Sequence, residues 1–234
     1  MKRGIMRMGN CINHRGWGIA LIGAVLMASQ AAAQENNSLW YGSIVGIRDM
    51  PDASSASTPA GNFGTLAGDI VLSDEAGFGI AVGRTVAWDL QVEVEATWRA
   101  FDITELRGVR VNGLPVPPGF SGTGNWDTET LMVNLRKPFS SGPVRPFVGI
   151  GVGLVKHEGT LIHRFAPLDI EGDDTGDDSV LAYQFLVGAQ IRASKNIQAF
   201  VGYRYLRSDD IEIKNLTGGF QTHGIEAGVR FLFD

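Results

Sequence analysis

Eight charged residues, Glu93, Glu95, Arg99, Arg136, Arg192, Arg204, Glu226 and Arg230, stand in segments that are otherwise apolar or rich in glycine. In extended chain, alternate positions share a face, so such charges converge on one side of a sheet. Enclosed charge is costly unless it is paired. These residues therefore suit either a salt-bridge and hydrogen-bond network filling an interior or the lining of a narrow channel. An interior walled by only eight strands holds little beyond its own side chains, which favours the filling network.

Three further groups have types that do chemistry elsewhere. His223 lies near Ser208-Asp209, and a serine, a histidine and an acid are what an acyl hydrolase needs. No motif surrounds Ser208, so the expectation is a histidine at a membrane-interface girdle, with no catalysis. Residues 158–178 carry Glu158, Asp169, Glu171, Asp173, Asp174, Asp177 and Asp178. Oxygen ligands at this density suit Ca²⁺, but Asp174 stands where the twelve-residue calcium loop needs glycine and Val180 where it needs a bidentate glutamate. A solvated acidic surface segment is expected, with no metal and no cofactor. Gly149-Ile150-Gly151-Val152-Gly153 has the wrong spacing for a dinucleotide-binding turn, and no helical pattern follows it.

The element that positions the first two carboxylates is plain in the order of residues. Leu90, Val92, Val94, Ala96 and Trp98 alternate with Gln91, Glu93, Glu95, Thr97 and Arg99, a period of two that only a strand can use. The same period predicts strands at about 38–48, 70–84, 88–102, 127–137, 144–157, 179–193, 197–206 and 222–233. Connections alternate between long (49–69, 103–126, 158–178, 207–221) and short, around 85–87, 139–143 and 194–196. An up-and-down meander of antiparallel hairpins produces this, with all long loops at one end.

One face of each strand reads apolar: Phe78, Ile80 and Val82; Leu131, Val133 and Leu135; Val148, Ile150, Val152 and Leu154. It continues with Leu181, Tyr183, Phe185, Val187 and Ile191; Ile197, Val201, Tyr203 and Tyr205; and Ile225, Val229, Phe231 and Phe233. The opposite face collects charges and ten glycines, among them Gly77, Gly79, Gly83, Gly149, Gly151 and Gly153. An apolar outside with a polar, small-residue inside is the pattern of a transmembrane barrel. Trp40, Tyr41, Trp88, Trp98, Phe101, Trp126 and Phe231 fall near strand ends, where such a barrel has aromatic girdles. Asn112-Gly113 between β-formers predicts a tight turn and a hairpin of the third and fourth strands protruding from the membrane.

Residues 1–33 read as a secretory signal: Lys2, Arg3, Arg7 and Arg15, an apolar run from Trp17 to about Ala28, then Ala31-Ala32-Ala33. Cleavage after Ala33 removes four bases, no acid and the single cysteine, Cys11, taking the net charge from −5 to −9 and leaving 34–234 as one barrel domain. That sign implies no nucleic-acid partner. Without cysteine there is no disulfide, and no later apolar run has the length of a spanning helix, so membrane embedding must be by strands.

In Gly77-Phe-Gly-Ile-Ala-Val-Gly83, Glu93-Val-Glu95, Met132-Val-Asn134-Leu, Arg145-Pro146-Phe147-Val-Gly149-Ile-Gly151-Val-Gly153 and Gly202-Tyr203-Arg204-Tyr205-Leu206, the chain resembles the small outer-membrane β-barrel family. These are the OmpA/OmpX-like membrane domains of Gram-negative bacteria, often called porin family proteins. The ending Gly228-Val-Arg-Phe231-Leu-Phe233 is similar to the signal read by the barrel-assembly machinery, with Asp234 as a departure. The resemblance implies an all-β, eight-stranded antiparallel up-and-down transmembrane β-barrel in the outer membrane. Its expected partners are outer-membrane lipid and lipopolysaccharide, the assembly machinery and an extracellular ligand at the loops, with the protein itself a monomer. The expected function is structural or surface interaction. The alternatives are a narrow channel, a lipid A-modifying acyl hydrolase using His223, and a soluble periplasmic lipocalin-like barrel.

Overall fold

A computed structural model describes residues 40–59, 64–116, 120–165, 170–213 and 216–233. The segment 1–33, expected to be an export signal, lies outside the described residues. The strands are β1 (Trp40–Pro51), β2 (Ser54–Pro59), β3 (Thr65–Leu72), β4 (Glu75–Thr85), β5 (Gln91–Val111), β6 (Leu114–Pro115), β7 (Phe120–Pro138), β8 (Val144–Phe165), β9 (Ile170–Arg192), β10 (Ile197–Ser208), β11 (Ile211–Ile213), β12 (Leu216–Gly218) and β13 (Gln221–Phe233). β1 pairs with β4 on one side and with β13 on the other, and the ladder runs β4, β5, β7, β8, β9, β10, β13 around the ring. All pairs are antiparallel, so the sheet closes as an eight-stranded up-and-down barrel. Closure removes the exposed edges that an open sheet would leave.

The outward apolar face is the one the period of two predicts. Ile44, Phe78, Val152 and Leu181 are each about 60 % exposed, the largest values among a band of aliphatic and aromatic side chains around the wall. Inside, Glu93, Glu95, Arg136, Arg204, Glu226 and Arg230 are buried. A soluble lipocalin-like barrel needs the opposite arrangement, with its apolar face within. Tyr41, Phe101 and Trp126 were expected in the girdle, but they face inward and are buried.

The segments expected to be long loops are largely strand. β5 runs to Val111, β7 begins at Phe120, and β8 and β9 stay paired from Val144↔Ile191 to Phe165↔Ile170. The outer face of this upper ladder turns polar, as at Lys156 and Glu158, so the apolar alternation stops there although every strand still needs backbone partners. The second strand is interrupted at Ser73-Asp74, where Ser73 N donates to Asp102 O at 2.9 Å and Asp102 N donates to Ser73 Oγ at 2.9 Å. The third strand starts at Gln91, after a single 3₁₀ turn at Ala87–Asp89.

Asn112 and Gly113 do form the tight turn, with φ of 50° and 82°, the left-handed pair a two-residue hairpin requires. The expected protruding hairpin of strands three and four is not formed. β5 and β7 part after Ile103↔Gly124; above that point β5 pairs with β3, and β7 pairs with β8. An apolar cluster including Ile70, Leu72, Phe101, Ile103, Trp126, Leu206, Ile211 and Phe220 closes the lumen toward this extended end. The space left beside it is about 20 Å³, room for roughly one water.

Candidate functional site

Seven of the eight predicted charges meet inside the barrel. Glu93 and Glu95 lie on the inward face of β5, Arg136 on β7, Arg204 on β10, and Glu226 and Arg230 on β13. Arg204 grips Glu95 with two nitrogens at 2.6 and 2.9 Å and reaches Glu226 at 2.5 Å. Arg136 Nε lies 2.8 Å from Glu93, and its Nη1 donates to Glu226 at 3.0 Å. Arg230 contacts Glu93 at 3.3 Å and donates to Gln91 at 2.7 Å. Arg99 pairs with Asp49 at 2.7 Å.

Arg192 is the exception. It stands at the last position of β9, beside the short turn, where its side chain is exposed and outside the network. A residue of the right parity at the end of a strand escapes the interior because the wall stops there.

Asp49 was not expected inside, because the sequence placed it in a loop; β1 continues through it and buries it fully. It completes the balance: Arg99, Arg136, Arg204 and Arg230 face Glu93, Glu95, Glu226 and Asp49, four cations against four anions. Neutral groups supply further partners. Tyr41 Oη donates to Glu93 at 3.1 Å, Asn134 Nδ2 to Glu93 at 3.1 Å, and Gln184 Nε2 to Asn134 at 2.6 Å. Arg136 also lies over the Phe147 and Phe200 rings, and Arg230 over Tyr41 at 4.0 Å. Gly151 is needed for this packing: a Cβ there would sit 2.1 Å from Asn134 Oδ1. Polar residues of inward parity, such as Asn134 and Gln184, were the available signal for these partners.

Above the band, where outward side chains turn polar at Lys156 and Glu158, His157 is buried on the inner face of β8. Trp126 Nε1 donates to its Nδ1 at 3.1 Å, which assigns the neutral ring with its proton on Nε2. Burial pushes its pKa down to about 3; the nearby Asp178 carboxylate opposes this and Arg99 adds to it.

His223 is on the outer face, half-exposed, as its parity requires. Ser208 is buried on the inner face, so the wall of the barrel separates the two residues. Histidine instead meets Tyr203, whose hydroxyl hydrogen-bonds Nδ1, and Asp52, whose carboxylate is 3.4 Å from Nε2.

The acidic segment is a paired ladder rather than a loop, with Glu158↔Asp177 and His157↔Asp178 opposed. Among the described residues no group of three or more acidic, histidine or cysteine side chains is placed to hold a metal. Asp169 lies outside the described residues. Phe231 and Phe233, of the predicted assembly signal, face outward on β13, and Gly228 packs under the Phe200 ring.

Closed ring, apolar exterior and charged interior agree with the sequence comparison. Residues 19–233 match the family described as Outer membrane protein beta-barrel domain. The chain belongs to this outer-membrane β-barrel family. No curated protein matches it in sequence. Among solved structures it is similar to the Neisserial surface protein A, at 14% identity and a TM-score of 0.49, covering 85% of this chain and 100% of that one. It is also similar to Ail, the attachment invasion locus protein of Yersinia pestis, crystallised with the heparin analogue sucrose octasulfate (11% identity, TM-score 0.43, 83% and 99% coverage). A third is the outer membrane protease OmpT from Escherichia coli (8% identity, TM-score 0.48, 86% and 99% coverage).

Proposed function

We propose that this outer-membrane β-barrel is a non-catalytic surface protein whose working part is the strand extension above the apolar band. One observation carries the reading: the lumen is filled by matched buried ion pairs, while β5, β7, β8 and β9 continue well past the last apolar row of the wall. A filled interior offers no passage. An extended ladder presents its polar outer side chains to water, the arrangement of a recognition surface held by a rigid scaffold. Ser208 and His223 lie on opposite faces of the wall, which speaks against an acyl hydrolase built on them.

In this reading residues 1–33 direct export and are removed, the Gly228-to-Phe233 ending serves the assembly machinery, and the barrel acts as a monomer in lipopolysaccharide-bearing membrane. The test is adherence of bacteria expressing the protein to a cultured epithelial monolayer. A variant in which residues 159–176 are replaced by a two-residue Asn-Gly turn removes the β8–β9 tip and leaves the membrane-level strands intact. Adherence is expected to fall to the level of non-expressing cells, with the shift between heated and unheated gel mobility preserved. Undiminished adherence of the shortened form, or loss of an acyl chain from lipid A that depends on His223, overturns the proposal.

A further inference from the structure

A hollow opens on the outer wall where β4, β5, β7 and β8 pass from the apolar band to the polar extension. It holds about 380 Å³, within the range of small-molecule sites. Its two sides differ in chemistry. On β4 and β5 the Phe78 and Trp98 rings stack, with 5.2 Å between centroids and 23° between planes. Ala76 and Ala100 stand beside them on the same outward face, and their small side chains leave the depth. On β7 and β8 stand the carboxylates of Asp127, Glu129 and Glu158, all exposed.

Strand register sets the two sides against each other. Trp98 pairs across from Glu129, and Ala100 from Asp127. Directly opposed residues have Cβ atoms about 5 Å apart, so a cation held by Glu129 is within reach of the indole face.

The carboxylates do not serve the sheet. Asp127 lies directly opposite Glu158, and Glu158 directly opposite Asp177, so one row across β7, β8 and β9 sets acid against acid. Like charges so placed destabilise the pairing. Lys156, which also lines the hollow, is bound to Glu158 at 3.3 Å. Arg99, behind the wall, turns inward to Asp49, and Arg107, higher on β5, is paired with Glu105 at 2.8 Å. Asp127 and Glu129 have no ion pair with a described residue, and the exposed Asp102, next outward on β5, adds to the same sign.

The geometry points to a binding site for an organic cation with an apolar body, such as an aryl-substituted ammonium. Its charged nitrogen lies among Asp127, Glu129 and the Trp98 ring, where carboxylate attraction and the ring quadrupole act together. Its apolar body fills the space over Ala76 and Ala100, against Phe78. The site lies outside residues 159–176, whose removal tests the proposed adhesion, so either reading can fail without the other.

The test places the refolded full chain in nonionic maltoside micelles at low ionic strength and measures benzyltrimethylammonium by equilibrium dialysis. The shift between heated and unheated gel mobility shows that each variant is folded. One saturable site per barrel is expected. Asp127→Asn/Glu129→Gln is expected to weaken binding about tenfold or more, and Trp98→Leu by a smaller factor. Lys156→Met is expected to strengthen it, because a competing cation is gone. Tetramethylammonium and benzyl alcohol carry the charge and the ring separately, and each is expected to bind more weakly than the whole probe. No saturable binding, unchanged affinity in the double-carboxylate variant, or benzyl alcohol held as tightly as the cation overturns the proposal. Tetramethylammonium held as tightly overturns it too, leaving an ion-pairing patch only.

Discussion

Arg204 is the residue on which the interior turns, because it contacts Glu95, Glu226 and Gln184 together. Its replacement by methionine leaves two carboxylates buried with fewer partners, an arrangement that costs roughly 3–5 kcal/mol when one member of a buried pair is removed. Arg204→Met is expected to lose about that much stability in chemical unfolding followed in detergent micelles. Adding Glu95→Gln brings the interior back to three cations and three anions, leaves Glu226 with Arg136 at 3.0 Å, and is expected to restore most of the loss. A double variant no better than the single one excludes charge as the cause. Parity along the strands made Glu93, Glu95, Arg136, Arg204, Glu226 and Arg230 readable as a set. Asp49, Tyr41, Phe101 and Trp126 were misplaced because near a strand end parity competes with an assumed boundary, and the boundaries were drawn too short.

At the scale of the element, β8 shows why. Its outward residues read Val148, Ile150, Val152 and Leu154 and then Lys156 and Glu158, so the apolar signal ends while the hydrogen-bonded strand continues to Phe165. Periodicity reports the solvent on each face, not the extent of the ladder, and the ladder outruns the bilayer. This gives a test within one strand and one face. Val152, 65% exposed to the membrane side, and Ile162, 42% exposed above the band, have the same orientation ten residues apart. Val152→Arg is expected to destabilise the barrel in lipid vesicles by about 2–4 kcal/mol, the cost of a charge near the bilayer midplane. Ile162→Arg, in water, is expected to be nearly silent. Equal effects would move the membrane boundary up the strand. Interior positions are no more tolerant: Thr97 is fully buried, hydrogen-bonded to Thr130 and taking a bond from Arg99.

For the whole molecule the question is whether an eight-stranded outer-membrane barrel of this family conducts. Four guanidinium groups and four carboxylates cancel within the lumen, with Phe147 and Phe200 packed among them. A permeating ion would have to separate partners held at 2.5–3.3 Å and replace their bonds with its own. It would then meet the apolar cluster around Phe101, Trp126 and Phe220, which offers it no ligand at all. A ring of eight strands leaves an interior just wide enough for side chains, and that filling could be anticipated from strand number alone. Planar-bilayer recordings of the purified protein are therefore expected to show no steady ohmic current at moderate voltage. The Arg136→Ser/Glu226→Ser variant removes one matched pair and leaves the apolar cluster in place, so it too is expected to stay silent. A steady ohmic conductance in the wild-type protein would refute the plug and make the channel the better account of the molecule. Current in the double variant alone would show that the ion pairs, rather than the apolar cluster above them, are what seals the barrel.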